Sequence, residues 1–223
     1  GLLHAHGFDP VQHEKIREAA YSLIPDKDKP HIHLKIGQFL LERARADDEG
    51  LRDKVFHVVR HWNAAAPVIT DAAGRLELAR MNILAGEKAR GATAYDSAEN
   101  FFSLAAAYLP PDAWEKQPDL CRRLYLLLGE SRFLIGDTDG ADGIFADVLA
   151  RIESPVERAD IYSLMVTLYT AVDKPDRALA VGLQALSLLG VRLPEHPHKI
   201  HVLINIIHVR LAQGRNRVCS LGT

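Results

Sequence analysis

Only two cysteines, Cys121 and Cys219, occur in the 223 residues. Two thiols build no disulfide framework, and such a chain suits a reducing compartment. A cytoplasmic protein is therefore expected. Excess positive charge is missing as well: 27 Lys and Arg face 29 Asp and Glu, a formal net charge of −2. Nucleic-acid binding needs clustered basic charge, so no nucleic-acid partner is expected. No apolar run approaches the ~20 residues that span a bilayer, which removes a membrane partner. No signal-peptide pattern opens the chain. There is no initiator methionine, so the expectation is a segment of a longer protein, with residues 1–10 a disordered end or a cloning remnant.

The usual catalytic constellations are missing too. No Gly-x-Ser-x-Gly elbow and no legible cysteine–histidine pairing occurs. Residues 86–93 superficially match a phosphate-binding loop, but Ala92 stands where its lysine belongs and no strand precedes it. The segment reads instead as a helix end and inter-helix turn. Asp137, Asp139 and Asp142 invite a calcium reading, yet Ala141, Asp142 and Val148 occupy positions that a calcium loop gives to ligands and a glycine. Asp137 or Thr138 capping a helix is the better account. His57 and His61 share a helix face, and His31 with His33, and His196, His198 and His201, are further candidates. A metal needs three or four converging ligands, and spacing alone shows no such set. No catalytic residue, cofactor or metal is assigned, and the chain itself reads as a non-enzyme. Cys121 reads as a small packed residue.

What the chain has is apolar content, 48% of residues, arranged at helical spacing. Residues 124–190 read as two copies of one unit: a long apolar-periodic helix, a tight turn, and a second helix opening on small residues. Gly136 and Asp137 make the first turn, with Ala141 and Phe145 following. Residues 173–175 make the second, with Ala178, Gly182 and Ala185 following. Ala141 and Ala178 lie 37 residues apart. A weaker third copy covers residues 86–105, with Tyr95, Ala98, Phe102 and Ala105 at helical spacing and Thr93 as its expected cap. Its longer spacing to Ala141 is accounted for by residues 110–114, a short extra turn. A recurrence of this length marks stacked helical hairpins of tetratricopeptide type.

Upstream, helices are expected at residues 11–24, 31–46 and 51–63. Ile32, Ile36, Phe39, Leu40 and Ala44 form the inward stripe of the second. Leu51, Val55, Val58, Val59 and Trp62 form that of the third, and Pro67 breaks the pattern. A long helix over residues 71–91 follows. Pro155 suits a helix start. Residues 198–213 read as one further apolar helix, through Ile200, Leu203, Ile204, Ile207 and Leu211. Its stripe is expected to fold back on the preceding hairpin or to pair with another copy, giving a possible homodimer. The expected fold is all-α: antiparallel helical-hairpin repeats forming a right-handed superhelical solenoid. The expected organisation is N-terminal helices over 11–63, repeats over 64–213 and a tail over 214–223.

Several runs carry a family resemblance. They are Ala19-Ala20-Tyr21-Ser22-Leu23-Ile24-Pro25, His33-Leu34-Lys35-Ile36-Gly37 with Leu40-Leu41, and Phe56-His57-Val58-Val59 through Asn63. Leu84-Ala85-Gly86-Glu87-Lys88-Ala89, Thr93-Ala94-Tyr95, Ala98 and the Trp114 segment continue it. So do Gly136-Asp137 with Ala141, Glu157-Arg158-Ala159-Asp160-Ile161-Tyr162 and Leu193-Pro194. Together they resemble the helical-repeat region that follows a STAND-type ATPase module in large multidomain signalling proteins, often hybrid sensor histidine kinases or serine/threonine kinases. The resemblance covers residues 11–214 and implies a junction with an upstream ATPase over 11–63. No residue of the ATPase or kinase machinery has a counterpart in it. It implies a non-catalytic scaffold for a protein, a peptide or another domain of the same chain. The alternative is a small-molecule sensor whose effector sits in the repeat groove, where Tyr125, Arg132, Tyr162 and Tyr169 are the candidate lining residues.

Overall fold

The computed structural model describes residue 19, residues 21–46 and residues 50–191. The readings made above for residues 1–18 and 192–223, including the helix over 198–213 and its pairing, lie outside these. Among the described residues there are nine α-helices and no strand, so the all-α expectation holds. The helices are α1 (Lys29–Arg45), α2 (Gly50–Ala65), α3 (Ala72–Gly91), α4 (Tyr95–Tyr108), α5 (Ala113–Lys116), α6 (Pro118–Leu134), α7 (Thr138–Ala150), α8 (Pro155–Ala171) and α9 (Pro175–Leu188), with a 3-10 turn at Ala66–Val68. The chain divides into two compact units, Gly1–Val148 and Leu149–Thr223, each described by itself.

Helix starts follow local chemistry. Proline occupies the first turn of α1, α6, α8 and α9, where its missing N–H costs nothing. The Asp71 carboxylate accepts from the Gly74 N–H at 2.7 Å and caps α3. Asp137 does the same for Gly140 at 3.0 Å at the start of α7, and the Ser154 hydroxyl accepts from Glu157 at the start of α8. Helix ends repeat one device. Thr93, Gly136 and Asp173 all take a left-handed backbone, with φ of 58°, 96° and 56°. The next N–H in each case reaches five residues back: Ala94 to Ala89, Asp137 to Arg132 and Lys174 to Tyr169, at 2.9–3.0 Å. This closes the last turn and reverses the chain. Thr93 therefore ends α3 rather than capping α4, whose N-cap is Ala94. Position 93 is the left-handed residue of the turn, and a left-handed backbone does not suit an N-cap.

Packing places a large residue against a small one at each hairpin. A side chain at Gly86 would meet the Phe102 ring at 2.5 Å, and one at Gly129 would meet the Phe145 ring at 2.7 Å. Both rings are fully buried, and each contributes roughly 1.5–3 kcal/mol by burial. In α1, Gly37 gives way to the Trp62 indole, 2.7 Å from where a Cβ would stand. That approach rotates α1 within the expected stripe: Ala44 is buried as expected, but Gly37 and Leu41 are buried in place of Ile36 and Phe39, which are 38% and 56% exposed. The apolar count favoured the side bearing Phe39; the close helix contact selects the side bearing the glycine. In α2, Val55, Val58, Val59 and Trp62 face inward as expected.

α3 is buried on two sides. Leu78, Met81 and Ala85 join Val55, Val58, Val59 and Trp62 in one cluster. Ala79, Ile83 and Ala89 join Ala98, Phe102, Ala105, Leu124, Leu127 and Leu128 in another. An amide pair links α2 to α3, with Asn82 fully buried and Asn63 half-buried. Asn63 Nδ2 donates to Asn82 Oδ1 at 3.0 Å, and Asn82 Nδ2 donates to Asn63 Oδ1 at 2.7 Å and to the Leu78 carbonyl at 2.9 Å. Satisfying these groups mutually fixes the register of α2 on α3, because a slip would leave the buried Asn82 Oδ1 without its donor.

Candidate interaction surfaces

The α1–α2 hairpin leaves an apolar strip uncovered. Between the two helices lies a hollow of about 460 Å³, lined by Leu40, Arg43, Lys54, His57 and Val58. Leu40 and Val58 supply an apolar floor, and the three nitrogenous side chains form its rim. Phe39, one residue before Leu40, stands exposed beside the Arg43 guanidinium, 5.7 Å from its ring centre. An aliphatic floor with a cationic rim complements an apolar segment flanked by carboxylates.

At the other end of the same hairpin three side chains form a chain of hydrogen bonds. The Tyr21 hydroxyl lies 3.0 Å from His33 Nε2, and His33 Nδ1 lies 2.8 Å from His61 Nδ1. Two facing Nδ1 atoms need one shared proton, so one ring donates and the other accepts. Burial, then the charges of His33, Arg60 and His57, hold the His61 imidazole below its ordinary pKa. Of the candidate histidines, the structure thus joins His33 to His61, residues from different helices.

A charged seam joins α3 to α6. Arg80 reaches Gln117, Glu87 pairs with Arg123, and Arg90 pairs with Glu130 at 2.7 Å. The partners ascend together along both helices, so α3 and α6 run parallel, as the first helices of neighbouring hairpins. Such half-exposed pairs add little to stability, but they fix which face of α3 meets α6.

The four candidate groove residues fall as follows. Tyr125 stacks on Trp114 with ring centres 5.4 Å apart. Arg132 donates to the Glu99 carboxylate at 3.1 Å, which also accepts from Ser103, so it ties α6 to α4. Tyr125 and Arg132 are two helical turns apart on α6. Tyr162 and Tyr169 are likewise two turns apart on α8. Tyr162 is half-buried, whereas Tyr169 is 3% exposed, with the Arg177 guanidinium 5.9 Å from its ring centre. Residues 86–91 continue α3, with Gly86 packed against Phe102. Among the described residues no group of three metal-ligating side chains gathers, and no helix is long and apolar enough to cross a membrane.

Sequence reasoning missed the α1–α2 hollow, the histidine pair and the Asn63–Asn82 pair. Only the hollow had a readable signal: two apolar stripes compete on α1, and Gly37 marks the one that packs.

These elements define an all-helical protein of hairpins sharing one turn and one large-to-small packing device. No family model and no solved structure matches the chain. The chain is similar to the hybrid signal transduction histidine kinase G of Dictyostelium discoideum, 23% identical over 203 residues. The match covers 81% of this chain and 6% of that protein, so the chain spans a small part of that relative's length.

Proposed function

We propose that the chain is a non-catalytic helical-repeat scaffold, of tetratricopeptide-like superhelical type, within a cytoplasmic multidomain signalling protein of the sensor-kinase or ATPase-linked kind. It holds a protein segment or another domain of the same chain. The observation that supports this most is the recurring hairpin: one left-handed turn and one large-to-small pair, repeated in register. Repeats of this sort present extended surfaces. Similarity to a hybrid histidine kinase over most of this chain supports the signalling context. The partner surface we favour is the α1–α2 strip, where Leu40 and Phe39 lie beside Arg43. Replacing Leu40 and Arg43 with glutamate in the signalling protein is expected to change phosphotransfer output while the helical content of the purified chain stays intact. Unaltered output from that double variant would overturn the reading.

The hollow's volume also suits a small effector, which keeps small-molecule sensing as the second reading. A metabolite that raises the melting temperature of the native chain, and not of a Leu40→Glu variant, would favour it over the scaffold.

A further inference from the structure

The hairpins α3–α4 and α8–α9 share one register. α3 ends at Gly91 and α8 at Ala171; α4 spans Tyr95–Tyr108 and α9 spans Pro175–Leu188. Each later element lies 80 positions beyond the earlier one. The turn residues Thr93 and Asp173 keep the same offset, as do the α4 stripe of Ala98, Phe102 and Ala105 and the α9 stripe of Ala178, Gly182 and Ala185.

The two stripes differ in what covers them. Ala98, Phe102 and Ala105 are fully buried, in one cluster with Leu124, Leu127 and Leu128 of α6. Nine residues separate the end of α4 from the start of α6. In α9, Ala178 is buried, but Gly182 and Ala185 are half-buried, and α8 is the one described helix on which α9 packs extensively. Leu179 is 62% exposed and Leu189 50%. Leu179 stands beside the half-covered stripe, and a contiguous apolar patch of this kind calls for a partner.

Carried forward by the same offset, Leu120, Leu124 and Leu127 of α6 become Ile200, Ile204 and Ile207, while His208 stands for Leu128. A second relation points the same way. Glu99 of α4 accepts from Arg132 of α6. Their counterparts are Leu179 and Ala212, so both members of an inter-helix ion pair are apolar together. An exposed leucine in place of the glutamate fits a partner that has lost the arginine.

We propose that the α9 stripe of Ala178, Leu179, Gly182 and Ala185 is the docking surface for residues 198–213 of this chain. Ile200, Ile204 and Ile207 seat on it as Leu120, Leu124 and Leu127 seat on α4. The connector of residues 189–197 is as long as the one that returns α6 onto α4, and it carries two prolines as that one does.

The test uses the whole chain with Cys219→Ser, Cys121 being fully buried. Leu179→Cys and Ala212→Cys are introduced and treated with a short bismaleimide. Cross-linking within one chain is expected. Linkage only between chains would assign the surface to a second copy, and absence of linkage would leave it without this occupant; either result overturns the proposal. A second measurement needs no cysteine. Ile204→Glu is expected to speed amide exchange across α9 at least tenfold while α3 and α4 keep theirs. Unchanged α9 exchange would also overturn it.

Discussion

The hairpins α3–α4 and α6–α7 solve helix contact one way, and α8–α9 solves it in reverse. In the first two, glycine stands on the leading helix and phenylalanine on the returning one: Gly86 with Phe102, Gly129 with Phe145. In the third, Val166 stands on the leading helix and Gly182 on the returning one, 3.6 Å from a would-be Cβ to the valine. All three pairs are 16 residues apart, and each first member lies seven residues before the left-handed turn. Register is therefore set by the turn, whereas the side supplying bulk is free to change. What a close crossing needs is one large and one small residue opposed, in either order.

The largest effect should come from removing bulk where it is enclosed. Phe102→Ala is expected to cost about 3–5 kcal/mol, since the ring is fully buried and its site can collapse only partly. Urea denaturation of the purified chain measures it; a loss below about 1 kcal/mol would mean the ring sets nothing. Next come Gly86→Ala and Gly129→Ala. Each places a Cβ at 2.5–2.7 Å from a ring that close packing prevents from moving away. Each is expected to cost about 1–3 kcal/mol, against the gain in helix propensity that alanine normally brings. A neutral result at both would break the comparison with Gly182.

Much of this architecture was legible in sequence, and the failures are informative. Ala98, Ala141 and Ala178 gave the register because small residues recur where helices touch. Pro155 and Asp137 gave helix starts because their chemistry is local. In the α1 stripe Ala44 is buried and Leu40 packs on the core as expected, but Ile36 and Phe39 are exposed, because hydrophobicity ranks Phe39 above Gly37 while packing against Trp62 reverses that order. Thr93 was taken for a cap because threonine favours caps, yet the turn places it at a left-handed φ. Asn63 and Asn82 gave no signal, because an asparagine within a helix looks the same whether it meets water or its twin. His33 and His61 come from separate helices, so only folding pairs them.

Two smaller effects sharpen the comparison of turns and pairs. Gly136 suits its positive φ, and Asp173 tolerates one, whereas a β-branched threonine does so at a cost. Thr93→Gly is expected to stabilise by roughly 1 kcal/mol after the entropy of the added glycine is subtracted. Asp173→Gly should change little. If thermal melts rank the two the other way, the shared turn is not the source of the shared register. Gly182→Ala is expected to stabilise by about 0.5–1 kcal/mol, since its Cβ would meet Val166 at an ordinary contact distance. One substitution thus carries opposite signs in α9 and in α3 or α6.

The smallest effect concerns pH and belongs to the α1–α2 hairpin, because no histidine lies between His61 and His196. Folding lowers the His61 pKa below its ordinary 6.5, through burial and the nearby His33, Arg60 and His57. The unfolded chain then binds more protons than the folded one below that value, and stability falls with acidity. The contribution is whole above about pH 6.5 and is lost as pH drops toward the lowered folded value. A second proton would also leave the Nδ1 atoms of His33 and His61 as two donors facing each other, which ends their hydrogen bond. His61→Gln is expected to flatten this part of the melting-temperature profile between about pH 7.5 and 5.5. An unchanged slope in that variant would place the acid sensitivity elsewhere and remove the histidine pair as its cause.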